Sequence, residues 1–386
     1  MTKAMQGACP ADADPRFYAG SSRAGSLMDA CLSRSISRRD LVRGAFGLAA
    51  GLGLAGLTGC GSGVNSKELN IFIWTEYVPD SVLEKFTKET GIKINQYLFS
   101  SNEDMLAKVR TENEGTYDIL QPTDYMVKSL IRQHMLQPLD QTVMKNKRYI
   151  GSQYLNQKFD PGNKYSYPYM GSCTSIAYNK SKVKKVPKSF ADMLDPEFTG
   201  KLVTLNDMRE ILSVCALTVG LEGNETDDAS IAKIAKQAEK FKSQFKVYDS
   251  DSPRNALVSG DCIAGVIWTA EIALAQRENP DIQVVFPKEG SGIGTDNWCI
   301  PKGAKHFDNA CKFINFMMRP ENAKVVSEDY PYVQPNVGAI KLLDDDFKNN
   351  PVENVPAWAF KAGHRTEALP PKVLRKYDKI WTNLKG

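Results

Sequence analysis

The chain has 386 residues, 42% hydrophobic and 24% charged, with a formal charge of +4. That length exceeds what one small core needs, so two domains are expected, and the composition excludes general disorder. A nucleic-acid footprint, which needs a basic domain or stripe, is excluded as well: the first 60 residues carry seven Lys or Arg against four Asp, leaving 42 of the 49 basic and 41 of the 45 acidic residues for the rest, a charge of about +1. In chain order the first feature is Arg38-Arg39, followed by a weakly apolar run over 45–59 that ends in small residues. Basic residues ahead of a short apolar run describe an export signal. Fifteen residues are too few to cross ~30 Å of hydrocarbon as a helix, which takes roughly 20. Gly51-Leu52-Gly53-Leu54-Ala55-Gly56 is a literal GxGxxG, but no strand precedes it, so it is rejected as a nucleotide loop.

Leu57-Thr58-Gly59-Cys60 resembles the lipoprotein processing box, in which the cysteine becomes the acylated first residue, and the paired arginines resemble the twin-arginine export route. Residues 1–60 are therefore read as leader, 61–67 as tether, and Cys60 as the lipid attachment that holds the exported protein at the membrane. Of the eight cysteines, Cys9 and Cys31 leave with the leader. Cys173, Cys215, Cys262, Cys299 and Cys311 stand singly with no CxxC pair. No zinc site is expected from them, one disulfide is possible, and most read as small buried apolar residues.

After the tether, residues 69–74 form a strand apolar on both faces, as in a central parallel strand. Ser81 to Glu84 offers a capping box to a helix that Gly91 ends. Strands follow at 92–99 and 117–120, with a helix over 104–113 between them. A second alternation has a strand at 201–205, helices over 209–221 and 230–245, a strand at 262–268, a helix to 277, a strand at 282–286 and a helix over 307–318. The basic stretch 182–188 reads as a solvated loop, and Asp344-Asp345-Asp346 as a helix start or turn. Alternating strands and helices give an α/β fold of doubly wound sheets, here two lobes with a cleft between them.

The three histidines, His134, His306 and His364, sit in no HExxH, and neither a GxSxG elbow nor a Walker loop occurs. What recurs instead is aromatic and acidic residues just beyond strands, where ligands sit in open α/β sheets. Trp74-Thr75-Glu76-Tyr77 follows one strand, Thr123-Asp124-Tyr125 another, Asp207-Met208-Arg209-Glu210 a third, and Trp268 to Glu271 a fourth. Lysine is absent from the set and Arg209 is its only arginine. Each residue alone has a plainer reading: Trp74 and Trp268 as core, Glu76 as a helix-dipole partner, Asp207 and Glu210 as a helix start. Together they predict a cleft for an organic cation, because aromatic faces attract cations by ~0.5–2 kcal/mol each.

The segments IFIWTEYVPDSVLEKFTKETGIKI, YDILQPTDYMV, LNDMREILS, YDSDSPRNALVSGD, AGVIWTAEIALA, VVFPKEG, INFMMRPENAKVV and YVQPN resemble the spermidine/putrescine-binding proteins of bacterial ABC importers, over essentially residues 68–386. The resemblance implies a two-lobed periplasmic-binding-protein fold of type II with a hinge. The expected lobes are 68–171 with 297–340, and 172–296 with 341–386. It implies no catalysis and no cofactor or metal, and as partners a polyamine, a membrane permease and its ATPase. Transferred position by position, Trp74, Tyr77, Tyr125, Trp268 and Tyr332 would flank the methylene chain. Glu76, Asp207, Glu210 and Asp296 would take the amines, and Thr75, Thr123 and Ser250 would add hydroxyls. The spermidine-type members have a tryptophan where this chain has Gly294, which predicts room there for a bulkier amine. Retention of both Asp207 and Glu210 leans toward a triamine. The alternatives are another ligand on the same fold, such as a metal ion held by Tyr77 and Tyr125, a thiaminase-like transferase using Cys215, or a surface receptor without transport.

Overall fold

A computed structural model describes residues 67–386. The leader, Cys60 and residues 61–66 of the tether lie outside the described residues. Ten strands make one sheet: β1 (Glu68–Trp74), β2 (Lys93–Phe99), β3 (Ile119–Leu120), β4 (Ser166–Asn179), β5 (Leu202–Thr204), β6 (Phe245–Tyr248), β7 (Ala264–Trp268), β8 (Ile282–Val285), β9 (Gly292–Cys299) and β10 (His364–Arg365). Their order is β2-β1-β3-β9-β4-β7-β5-β6, with β8 on β4 and β10 on β9. β1 is parallel to β2 and β3, and β5 is parallel to β6 and β7, whereas β4 is antiparallel to β7, β8 and β9. Two doubly wound parallel sets therefore flank one antiparallel pair, β9 and β4, which runs through both lobes. The expected lobe changes at 171–172 and 296–297 fall inside these two strands.

Local chemistry explains most of the elements. Ile71 to Trp74 are buried on both faces because β1 lies between β2 and β3 with helices over the sheet. The helix Asp80–Thr90 buries Val82, Leu83 and Phe86 on one side and stops at Gly91, whose φ of 73° is the left-handed cap glycine favours. It begins one residue before the expected capping box: Pro79 holds the cap position and no side chain caps the first turn. Ser101 does cap the next helix, Asn102–Thr111, by accepting from Asp104 N. Asp344 caps Asp345–Asn349 by accepting from Phe347 N, so the acidic triplet is a helix start.

Three long features differ from the sequence expectation. Residues 245–248 form β6, where a continuous helix to 245 is predicted. The last fifteen residues before Gly386 form the helix Pro371–Lys385, which packs on the helix Asp228–Lys242. The central strands β4 and β9 carry no alternation. Both are nearly all buried, and Pro168 and Gly171 interrupt β4 as breakers would. The structure accommodates Pro168 with a register irregularity between Pro168 and Met170. Gly171 exchanges backbone hydrogen bonds with Val333 at 2.7 and 3.0 Å, and a Cβ there would stand 3.0 Å from Val333 Cβ.

The core is continuous across the sheet. Trp298 on β9 is fully buried, its ring 4.5 Å from that of Tyr169 and 5.5 Å from that of Phe313. It packs away from the cleft. Trp298→Ala is expected to cost about 3–5 kcal/mol of unfolding free energy through the cavity it leaves, measured by urea titration; a loss under 1 kcal/mol would refute this placement.

Candidate functional site

The carboxyl ends of both parallel sets face one cavity. Trp74, Thr75 and Tyr77 come to it from the end of β1, Thr123 and Tyr125 from beyond β3, Asp207 and Glu210 from beyond β5, Ser250 from beyond β6, and Trp268 from the end of β7. β9 supplies Asp296 from the antiparallel pair, and Tyr332 arrives on the segment after the helix Pro320–Asp329. Eleven of the twelve residues expected to bind ligand thus line one cavity. The indole of Trp74 lies 6.1 Å from that of Trp268, edge to face, and Tyr77 stands 4.9 Å from Tyr332 in the same arrangement. Trp74, Tyr77, Trp268 and Tyr332 are all at most 8% exposed, so the cleft is closed over them.

Four carboxylates line the cavity: Asp124, which is paired with Arg365, and three others, Asp207, Glu210 and Asp296. Asp296 accepts from the Tyr77 hydroxyl at 2.5 Å and the Thr123 hydroxyl at 2.6 Å. Asn102 fixes that geometry, donating from Nδ2 to Thr123 Oγ1 at 2.9 Å and accepting from Thr123 N through Oδ1. Asp207 uses Oδ1 to cap the helix Met208–Leu217, accepting from Arg209 N and Glu210 N at 2.9 and 3.0 Å. Asp207 is thus a helix cap that also lines the cavity, its Oδ2 making no contact to that cap. Glu210 accepts from the Thr174 hydroxyl at 2.8 Å through Oε2. None of the three forms an ion pair among the described residues.

Arg209 also borders the cavity, yet its guanidinium donates to Glu367 O, Gly223 O and Asn224 Oδ1 and lies 5.7 Å from the Tyr125 ring centre. Burial dominates the acid–base behaviour that results. It pushes Asp296 up to about 7, against the lowering by Thr123 and Tyr77. Glu210 rises to about 7 through burial and then the charge of Asp207, and Asp207 itself is raised by burial. A cleft whose carboxylates are this reluctant to ionise gains most from a guest that brings positive charge. Trp74 Nε1 and Ser250 Oγ, both on the wall, are buried without a partner among the described residues, and so are free to meet a guest.

Of the remaining residues on the wall, Asp124 already stood in the strand-end set, whereas the others carried no sequence signal of their own. Asn102 opens a helix like any other. Asp124 accepts from Arg365 Nη1 at 2.8 Å, and burial raises it to about 6. Ser172, Ile293 and Thr366 reach the cavity from strands or loops that periodicity does not reveal. Glu103 lies behind Tyr125, accepting its hydroxyl at 3.2 Å through both oxygens.

Other expectations are corrected. Glu76 does not line the cavity: it takes a left-handed φ of 49° and pairs with Arg254 Nη2 at 2.9 Å. Gly294 borders the cavity without leaving spare room, because a Cβ there would stand 2.8 Å from Thr123 Cγ2 and 2.9 Å from Ser172 Oγ. Among the described residues no disulfide forms, and Cys173, Cys215, Cys262, Cys299 and Cys311 are all buried thiols. Cys215 sits mid-helix with its thiol pushed up to about 12 by burial, the opposite of an activated nucleophile. Tyr77 and Tyr125 do not converge as a metal pair. Their hydroxyls donate to different carboxylates, Asp296 and Glu103, and burial raises both phenols well above 10.

Two α/β lobes closing an aromatic, acidic cavity at the carboxyl ends of their strands define a solute-binding protein. This chain belongs to the bacterial extracellular solute-binding protein family, whose model matches residues 81–354. It is 36% identical over 317 residues to the spermidine/putrescine-binding periplasmic protein of Escherichia coli, covering 82% of this chain and 91% of that one. It is 33% identical over 318 residues to a protein of the same description from Haemophilus influenzae, covering 82% and 88%. Among solved structures, a chain described as a spermidine/putrescine ABC transporter from Listeria monocytogenes matches at 30% identity with a TM-score of 0.80, covering 83% of this chain and 99% of that one.

Proposed function

We propose that this protein is the polyamine-binding component of a bacterial ABC importer, capturing a linear polyamine outside the cytoplasm and presenting it in the closed form to a membrane permease driven by an ATPase. One observation carries the reading: Asp207, Glu210 and Asp296 are gathered without an ion pair among the described residues, inside a wall of Trp74, Tyr77, Trp268 and Tyr332. An ammonium ~4 Å from one carboxylate gains about 4 kcal/mol at an effective dielectric near 20, and the rings add cation–π attraction while packing on methylene groups. Thr75, Thr123, Tyr125 and Ser250 complete the shell. Thr123 and Tyr77 tune Asp296 rather than reaching past it.

Ligand contacts to both parallel sets shift the two lobes toward closure about β4 and β9, with changes of lobe near 171–172 and 296–297. The relatives' descriptions as spermidine/putrescine-binding periplasmic proteins support this reading. Export by the leader and acylation at Cys60 would keep the receptor at the outer membrane face of the importer, and no helix among the described residues is long and apolar enough to cross a membrane. Titration calorimetry of residues 61–386 with putrescine and with spermidine tests the proposal. Micromolar or tighter binding of at least one is expected; no binding of either below millimolar would overturn it.

A further inference from the structure

Glu76 is the one amine-binding candidate that is already occupied. Its Oε2 meets Arg254 Nη2 at 2.9 Å, while Arg254 Nη1 donates to Glu271 at 2.9 and 3.1 Å and Nε lies 3.9 Å from Glu278. The guanidinium side chain is only 16% exposed and Glu271 only 4%. Glu76 follows β1, whereas Arg254 follows β6 and Glu271 follows β7, on the opposite side of the β9–β4 pair. Arg254 therefore bridges the two parallel sets with its own positive charge, as a ligand ammonium would.

This cluster abuts one end of the cavity. Glu76 is two residues from Trp74, Arg254 four from Ser250, and Glu271 three from Trp268, all three wall residues. The charges of Glu271, Arg254 and Glu76 all reach the buried hydroxyl of Tyr332. The cavity carboxylates form a separate group: Glu210 interacts with Asp207, Asp296 and Arg209, and Glu271 with Arg254 and Glu76. Acceptors open to a guest thus lie among Asp207, Glu210 and Asp296, while Glu76, two residues past Trp74, is already paired with a guanidinium.

We infer that Arg254 is a built-in counterpart of a polyamine's terminal ammonium, which makes the cleft selective for a diamine over a triamine. The inference rests on the polyamine reading and names the length class within it. A diamine reaches from the Asp207–Glu210 pair to Asp296, its methylenes between the rings. The third ammonium of a triamine, running on past Trp74 and Trp268, finds Glu76 already paired with Arg254 rather than a free carboxylate, and so gains less there than it would from an unpaired acid.

The test compares putrescine and spermidine on residues 61–386 by calorimetry, for the parent and for Arg254→Gln, Arg254→Lys and Arg254→Gln with Glu76→Gln. The parent is expected to bind putrescine at least tenfold tighter than spermidine. Arg254→Gln should narrow or reverse that ratio by tenfold or more, Arg254→Lys should keep the parental preference, and removing Glu76 as well should abolish the gain in spermidine affinity. Thermal melts of each variant separate lost selectivity from lost folding, and the parent's own putrescine-to-spermidine ratio decides the matter if Arg254→Gln does not fold. A parent that prefers spermidine, or a ratio unmoved in Arg254→Gln, overturns the inference and leaves the polyamine reading standing. Binding of neither amine by the parent overturns both.

Discussion

Asp296→Asn is expected to weaken polyamine binding on the order of a hundredfold or more at pH 8, while leaving the ligand-free protein folded and no less stable. The expectation follows from what surrounds the carboxylate. Asp296 is 4% exposed, accepts two short hydroxyl bonds and has no cationic side chain bonded to it among the described residues. Truncating one partner of a buried, hydrogen-bonded charge pair costs about 2–5 kcal/mol, and each 1.4 kcal/mol is tenfold in affinity. In the ligand-free protein the balance reverses. The charge is then a desolvated group without a counter-ion, and an amide of nearly the same volume removes that penalty. Asparagine still accepts one of the two hydroxyls through its carbonyl. Calorimetry against the preferred amine, paired with thermal melts, reads both halves. Affinity within threefold of the parent would refute the role assigned to Asp296, and a melting temperature lowered by ten degrees would show the carboxylate to be structural instead.

The second large effect is on pH. Burial, opposed by Thr123 and Tyr77, sets Asp296 at about 7; burial, reinforced by Asp207, sets Glu210 at about 7. Both lie above the ordinary carboxylate range of roughly 4. An ammonium guest requires them ionised, so binding at pH 6 must first expel protons. Affinity is expected to rise by about ten- to a hundredfold from pH 6 to pH 8, with one to two protons released at pH 6 and almost none at pH 8, each group contributing up to a decade. Calorimetry in buffers of different ionisation enthalpy counts those protons. The stability sign is opposite without ligand. A carboxyl group with a raised folded value stabilises fully below its unfolded value near 4, and that contribution is lost as pH rises through about 7. The ligand-free protein should therefore melt lower at pH 8 than at pH 5.5, and saturating amine should reverse the order. An affinity flat across this range would sink the account of the cavity as an under-neutralised acid cluster. For the proposed hinge closure, mutual repulsion of the three ionised acids is expected to favour opening, and a cation between them closure.

The cleft is legible in the sequence where chemistry and periodicity coincide. The strand at β1 is a run of apolar residues with no ambiguity about its end, and the rule that ligands meet the carboxyl ends of parallel strands then selects Trp74, Tyr77, Tyr125, Asp207, Glu210 and Trp268 without coordinates. All six stand on the cavity wall, whereas Glu76 and Glu271, which the same rule picks out, pair with Arg254 instead. Asp296 and Tyr332 entered only through resemblance, Asp296 because β9 is buried on both faces and carries no alternation to reveal it, and Tyr332 because it follows the helix Pro320–Asp329 rather than a strand. The same physics hid β4, whose proline and glycine read as breakers but sit at a register irregularity and at the close approach of Val333.

The amino-acid sequence by itself determined the α/β alternation and the aromatic and acidic character of the strand ends, since each depends on residues near one another in the chain. Only the tertiary structure decided which charges neutralise which. Glu76 lies 178 positions from Arg254 and Asp124 lies 241 from Arg365, yet both pairs close at under 3 Å, while Asp207, Glu210 and Asp296 are left to one another. Charge acts through space and is weighted by burial, and both quantities exist only once strands distant in sequence have been laid side by side.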